Sequence, residues 1–382
     1  MIHQAKQRVV ASAASVFAGV LIMALSALPA AYAQSGTFAL TGSLNTPRYL
    51  HTATLLQNGE VLVAGGVDVT DGISGPITSA ELYNPTTAKW TVTDSMSDAR
   101  EGFTATLLQS GEVLVAGGFG GPAGVCLATA ELYDPSNGKW TLTGSMTQAR
   151  CSPIATLLPS GEVLVAGGTG NSSGSDTLTS AELYNPSTGV WQTTGSLNVG
   201  RYTATAILEN GEVLVADGEN YSNGFYTFLA SAELYNPSTG LWTLTASMAK
   251  GTVPTNAVLV ANNNVLIANA VQYYNSSTAA WVNTGPLPRT AGNPTKASLL
   301  NTGNVLASGT TCNYSGCGHV ATFTCFLYTT STNLWSLTGN MKQPRIDHTS
   351  TLLSNGQVLV AGGTNRTNGV MTILSSAELY TP

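Results

Sequence analysis

One pattern recurs seven times along this chain. In its fullest form it reads HTATLLQNGEVLVAGG, then a variable stretch, then SAELYNPTTAKWTVT, and a tryptophan closes most copies. Trp90, Trp140, Trp191, Trp242, Trp281 and Trp335 lie 50, 51, 51, 39 and 54 residues apart. A period near fifty belongs to propellers and repeat arrays, in which each unit buries its faces only against its neighbours. The repeated residues are those the architecture needs, so any activity must sit in the parts that differ.

Each copy contains four strand-like runs, a to d. In the first copy these are residues 51–56, 60–64, 79–83 and 89–93, rich in Val, Leu, Thr, Tyr and Trp. Asn-Gly or Ser-Gly turns and Pro-containing turns such as Asn84-Pro85 separate them, so each copy predicts a four-stranded antiparallel sheet. Seven such sheets stacked radially bury both faces of each and leave only short edges. Strands a and b are small and end in glycine doublets, Gly65-Gly66, Gly117-Gly118, Gly167-Gly168 and Gly362-Gly363, where sheets crowd towards an axis. The bulky Tyr and Trp come later, where blades diverge. The seventh copy stops at Tyr380-Thr381-Pro382 without a tryptophan strand. Thr37 to Ser43 matches the Trp140 to Ser145 segment, with Phe38 in the tryptophan place, so the N-terminal strand is predicted to complete the last blade. The predicted fold class is all-β, a seven-bladed propeller over residues 34–382.

Residues 1–33 read differently. Lys6 and Arg8 precede an apolar run from Val9 to Leu28 and the small-residue ending Ala31-Tyr32-Ala33, the pattern of a secretory signal cleaved before Gln34. An uncleaved membrane anchor is the alternative. Without Lys6 and Arg8 the chain keeps 12 basic against 20 acidic residues, a formal charge of −8. An acidic chain with no basic run is poorly suited to nucleic acid or anionic membranes. The expected location is therefore secreted, periplasmic or cell-surface, with a monomeric propeller.

Five cysteines in an exported chain suggest disulfides with one thiol left over. Cys126, late in the second variable loop, is expected to pair with Cys151 at the start of the third copy. Cys312 and Cys317 bracket a short loop and form the second expected bridge. Cys325 stands where other copies place Ala80, Ala130, Ala181, Ala232 and Ala377, and reads as a buried small residue.

The glycine doublet, the Tyr followed by a spacer ending at Trp, and the Arg-x-x-His of Arg48 to His51 and Arg345 to His348 resemble kelch repeats. The resemblance covers essentially the whole chain after residue 33. It extends to bacterial exported kelch proteins and, in propeller architecture, to the central domain of galactose oxidase. Copies five and six depart most, with Asn269-Ala270 and Gly309-Thr310 in place of the doublet. The copper chemistry that galactose oxidase implies needs His and Tyr ligands and a Cys crosslinked to Tyr. His51, His319 and His348 supply no such set, and no spacing suggests zinc, so neither metal nor cofactor is expected.

Arg48, Arg100, Arg150, Arg201 and Arg345 precede strand a in five copies, and Glu81, Glu131, Glu182, Glu233 and Glu378 sit in strand c of the same five. A ring of guanidinium groups invites an anion-site reading. Copies five and six lack both members, with Thr252 and Gly292 at the Arg place and Gln272 and Phe326 at the Glu place. Residues that vanish together are most simply partners, so structural ion pairs are expected. Glu60, Glu112, Glu162 and Glu212 belong to a-b turns on the opposite face.

Among the remaining acids, Asp217, which replaces the first glycine of the fourth doublet, and Glu219 are the candidates for catalysis; a hydrogen-bonding role in the loop is the alternative. The variable b-c loops are the better candidates for binding. The fifth is almost absent, between a fourth loop with Tyr221, Asn223, Phe225, Tyr226 and Phe228 and a sixth with Asn313, Tyr314 and His319. That spacing predicts a notch suited to a sugar ring or an extended peptide. The reading is a non-catalytic binding or scaffold propeller for extracellular carbohydrate or protein. Its alternatives are an enzyme acting on extracellular sugars, of oxidase, epimerase or lyase type, and a structural surface-adhesion protein.

Overall fold

The computed structural model describes residues 36–70, 73–121, 124–202, 205–222, 224–252, 256–288, 293–311, 321–367 and 370–382. The signal-like residues 1–33 lie outside these ranges, as do Cys312 and Cys317, Asn223, Gly292, Asn313, Tyr314 and His319.

Seven four-stranded antiparallel sheets follow one another along the chain. Sheet 1 consists of Thr52–Leu55, Val61–Ala64, Ala80–Asn84 and Lys89–Thr93. Its strands a and b are shorter than their sequence runs because Leu56 N donates to Glu60 O, 2.8 Å away, drawing both residues into the turn. Strand c starts one residue later than expected, since the Ser79 carbonyl is turned to Gly65 N and to the Arg48 guanidinium. Sheet 7 joins Thr349–Leu352, Val358–Ala361 and Ala377–Thr381 to the N-terminal strand Thr37–Thr41, with Phe38 opposite Tyr380.

Strand b explains why the sheets stack. Val61, Leu62, Val63 and Ala64 are all buried, a continuous apolar run of the kind that needs cover on both faces. Val61 and Val63 pack into a cluster with Leu353, Leu359 and Ala361 of sheet 7, whereas Leu62 and Ala64 join Phe103, Val113 and Val115 of sheet 2. Five further clusters join sheets 2 and 3, 3 and 4, 4 and 5, 5 and 6, and 6 and 7. The innermost strands touch in the same cyclic order, the seventh returning to the first. This arrangement is consistent with a β-propeller.

The periphery is joined by polar bonds across the same boundaries. Tyr83 Oη lies 2.7 Å from Thr41 Oγ1 and Trp90 Nε1 donates to Gly42 O at 2.7 Å, so the N-terminal strand holds sheet 1 as well as sheet 7. Trp140, Trp191, Trp242 and Trp281 each donate to the connection leaving the preceding sheet. The doublet glycines mark the tightest approach. Gly65 and Gly66 have φ of +59° and +92°, and a Cβ on Gly65 would stand 2.6 Å from the Arg100 carbonyl oxygen of the next sheet. No side chain fits that place without displacing the neighbour.

Candidate functional site

In sheets 1, 2, 3, 4 and 7 the variable b-c loop leaves the sheet beside the segment that leads into strand a. Bridges join Tyr49 to Val67, Cys151 to Thr169, Tyr202 to Glu219 and Ile346 to Thr364, while Arg100–Glu101 pairs with Phe119–Gly120. Lead-in segments and b-c loops therefore share one face of the ring.

The lead-ins are held from below by the ion pairs. Arg48–Glu81, Arg100–Glu131, Arg150–Glu182, Arg201–Glu233 and Arg345–Glu378 are 3.0, 2.8, 3.1, 3.0 and 2.8 Å apart, with all ten residues buried. Each pair lies within one sheet. Arg48 also donates to the carbonyls of Gly65 and Ser79, and Glu81 accepts the backbone N–H groups of Asn45 and Thr46. With their donors directed inward, these guanidinium groups fix the backbone that presents the following residues to the face. Burial lowers the pKa of Arg48, Arg150, Arg201 and Arg345, and the paired glutamate opposes that shift in each.

Sheet 5 uses other groups. Gln272, at the Glu place, keeps one of the backbone bonds, accepting Ala249 N at 3.1 Å, and its amide donates to Asn283 Oδ1. Thr252, at the Arg place, donates its N–H at 3.2 Å and its Oγ1–H at 2.9 Å to the carboxylate of Asp217, which comes from sheet 4. Asp217 follows the doublet backbone with φ +68°, a conformation Asp tolerates better than most residues. Desolvation pushes its carboxyl up to about 6 against the pull of the Thr252 bonds. Its place in the structure is a tie between sheets. Glu219 likewise has a partner, the hydroxyl of Tyr202.

A cleft of about 430 Å³ opens on the lead-in face over sheets 2, 3 and 4. Glu101, Cys151 and Tyr202 line it, and all three occupy the position that follows the buried arginine. Leu50, Gly102 and Ser152, one residue further on, line it too and have φ of 54°, 55° and 48°. The third loop contributes Ser172, Ser173 and Gly174, and the fourth contributes Tyr226. Burial raises the pKa of the Glu101 carboxyl. Desolvation first, and then the neighbouring Glu219 carboxylate, raise that of the Tyr202 phenol.

The fourth loop is a hairpin, Glu219–Ser222 with Phe225–Phe228, which sets Tyr221 opposite Tyr226. Their ring centres are 4.8 Å apart, and Tyr202 stands edge-on to Tyr226 at 6.5 Å. Tyr226 donates to Ser173 O at 2.6 Å, which turns it towards sheet 3 and away from sheet 5. Phe225 lies on the other face of the hairpin and is 73% exposed. In sheet 5 only residues 268–271 separate strands b and c. The described cleft thus lies on the sheet 3 side of the aromatic loop, whereas the expected notch lies on its sheet 5 side. Tyr202, Glu101 and Ser173 were not singled out from the sequence; for Tyr202 and Glu101 the signal was the variable residue directly after an otherwise constant arginine, whereas Ser173 lies in a variable loop with no such mark.

Cys126 and Cys151 form a disulfide across 25 residues, tying the second loop to the third lead-in at the cleft wall and fitting an oxidising compartment. Cys325 is a buried free thiol whose pKa desolvation pushes up to about 12, which leaves it protonated and unreactive. His51 and His348 are buried, with Nε2 of each 3.0 Å from Thr349 Oγ1 and Ser308 Oγ of the preceding sheet. Among the described residues no three His, Cys, Asp or Glu side chains come close enough to hold a metal ion.

A sequence profile of the kelch motif matches residues 48–97, the lead-in and strands of sheet 1, and residues 104–147, the strands of sheet 2. No curated protein matches the chain at a significant level.

Proposed function

We propose that this chain is an exported seven-bladed kelch-type propeller, cleaved after Ala33, that binds carbohydrate without catalysis in the cleft over sheets 2 to 4. The observation that carries this reading is the composition of the cleft: Tyr226 and Tyr202 beside the hydroxyl-bearing Ser152, Ser172 and Ser173, with one carboxyl from Glu101. Aromatic rings cover the C–H faces of a sugar, and hydroxyl and carboxyl groups meet its own hydroxyls, the mixture typical of small-ligand sites. The kelch motifs and the disulfide fit the fold and the compartment. A protein ligand and a purely adhesive role are the competing outcomes of the test.

A glycan-binding screen on the protein from residue 34 onward is the direct experiment. Tyr226→Ala is expected to weaken the best glycan at least tenfold, equivalent to about 1.4 kcal/mol, while Tyr226→Phe keeps the ring and most of the affinity. Undiminished binding in Tyr226→Ala moves the site away from this cleft. Absence of any glycan binder shifts the reading to a protein partner.

The enzymatic reading rests on one observation: the Glu101 carboxyl lines the cleft while the Glu219 carboxylate lies behind Tyr202. Glycan turnover abolished by Glu101→Gln would establish it.

A further inference from the structure

Where the innermost strands of sheets 6, 7 and 1 meet, Lys296 brings a charge that no other described side chain at its register carries. Lys296 sits in the innermost strand of sheet 6, paired with Ser308. The same register holds Thr52, Thr104 and Thr349 in sheets 1, 2 and 7 and Ile154 in sheet 3, each opposite an alanine. Asn256 stands at the same place in sheet 5, its amide bonded to Ala297 of sheet 6, so among the described side chains at this register Lys296 is the one that carries a charge.

Lys296 is half-buried, and desolvation lowers the pKa of its amine. Among the described residues it joins no ion pair within 4.0 Å and no hydrogen bond. Asp347 is the one carboxylate that acts on it electrostatically, and burial raises the pKa of that acid. The nearby guanidinium groups of Arg48 and Arg345 are already committed to Glu81 and Glu378.

Two imidazoles complete the surroundings. Burial holds His51 and His348 well below the usual histidine range, and the Lys296 charge lowers both further. Both rings bond through Nε2 and leave a buried Nδ1 without a partner. The sector thus holds one cation with no ion-pair partner within 4.0 Å, two neutral rings with a nitrogen to spare, and Asp347, whose charge acts on Lys296 without pairing with it. A partly desolvated cation in this setting is stabilised by an anion far more than a solvated surface lysine is.

We propose that the place where the innermost strands of sheets 6, 7 and 1 meet binds a carboxylate group, with Lys296 as its counter-ion. The carboxylate could belong to a free organic acid or to a uronic acid unit of a polymer, and the two sources differ in whether a long chain can reach the site. This site is separate from the cleft over sheets 2 to 4 and does not depend on it.

The test is calorimetric titration and thermal denaturation of the protein from residue 34 onward with D-glucuronate, D-glucose, acetate and polygalacturonate at low ionic strength. Glucuronate is expected to bind and to raise Tm, and acetate to do so more weakly. Lys296→Thr, which installs the residue of sheets 1, 2 and 7 and so is compatible with the fold, is expected to lose at least tenfold in glucuronate affinity; Lys296→Arg retains binding. Asp347→Asn removes the competing charge and is expected to tighten it. Binding of neutral sugars at the cleft is expected to be unchanged in Lys296→Thr, which separates the two sites. Response to acetate and glucuronate but not to polygalacturonate assigns the site to free acids, and response to the polymer as well assigns it to uronic acid chains. Glucuronate affinity equal in wild type and Lys296→Thr, or no carboxylate binding at millimolar concentration, overturns the proposal.

Discussion

Sheets 1 and 5 perform the same architectural task with different chemistry. In sheet 1 the lead-in is held by Arg48, which reaches three carbonyls and the Glu81 carboxylate, while Glu81 accepts two backbone N–H groups. In sheet 5 Gln272 accepts one backbone N–H, and the remaining restraint arrives from the neighbouring sheet through Asp217. Asn256 adds a second cross-sheet tie, its amide accepting Ala297 N at 2.8 Å and donating to Ala297 O at 2.6 Å. Sheets that carry the ion pair anchor their lead-ins internally; sheet 5 depends on its neighbours. The comparison explains why the described cleft lies over sheets 2 to 4, where three internally anchored lead-ins offer a fixed floor to which one variable residue each can be added.

The largest expected effect breaks that anchor. Glu131→Gln leaves the buried Arg100 with only the partly exposed Asp98, 3.6 Å away, as a counter-charge and is expected to cost about 3 kcal/mol. Arg100→Thr together with Glu131→Gln copies the residues of sheet 5 and is expected to cost clearly less than the two single changes added together, because no fully buried charge is left alone. Urea denaturation of the three variants measures the coupling. Strictly additive losses would show that the residues are not energetic partners, whatever their 2.8 Å separation.

Much of this anchor was legible in the sequence, and the reason is repetition. The strand pattern, the doublets and the paired absence of Arg and Glu are compared seven times within one chain, so packing constraints common to every boundary stand out. Closure by Thr37–Thr41 was legible for the same reason, since Phe38 continued a pattern whose last copy lacked a strand. The cleft was not. Glu101, Cys151 and Tyr202 are single variable residues inside a constant motif, and Tyr226 owes its direction to a hairpin register and to one bond with Ser173. Asp217 was legible as an unusual acid, but its contact with Thr252 depends on two sheets at once.

The cleft wall offers a second, smaller test of the internally anchored sector. Removing the Cys126–Cys151 bridge by Cys126→Ala and Cys151→Ala frees a loop of 25 residues, expected to cost about 3 kcal/mol from unfolded-chain entropy. Because the third lead-in is also joined to sheet 2 by Arg150, whose N–H donates to Leu127 O and whose carbonyl accepts Gly118 N, the fold is expected to survive with a lower Tm. Glycan affinity at the cleft is expected to fall with it. A lowered Tm with unchanged affinity would show that the ion pairs alone position the lead-ins.

The smallest effect concerns the substitute tie and carries a pH signature. The Asp217 carboxyl, buried and raised to about 6, binds its proton more tightly in the folded chain than in the unfolded one. Its contribution to stability is therefore fully present below about pH 4, its ordinary range, and is lost as the pH rises towards 6. Above that the folded protein retains a buried carboxylate whose desolvation the two Thr252 bonds only partly offset. Asp217→Asn removes the charge, keeps an acceptor for Thr252, and suits the positive φ. It is expected to stabilise the protein by about 1–3 kcal/mol at pH 7.5, with the gain shrinking as the pH approaches 4, as read from chemical denaturation across that range. A gain independent of pH would place the benefit in the backbone rather than in the charge. A loss at pH 7.5 would mean that sheet 5 is held by the ionised carboxylate itself, making its tie to sheet 4 the electrostatic counterpart of the Arg–Glu pairs.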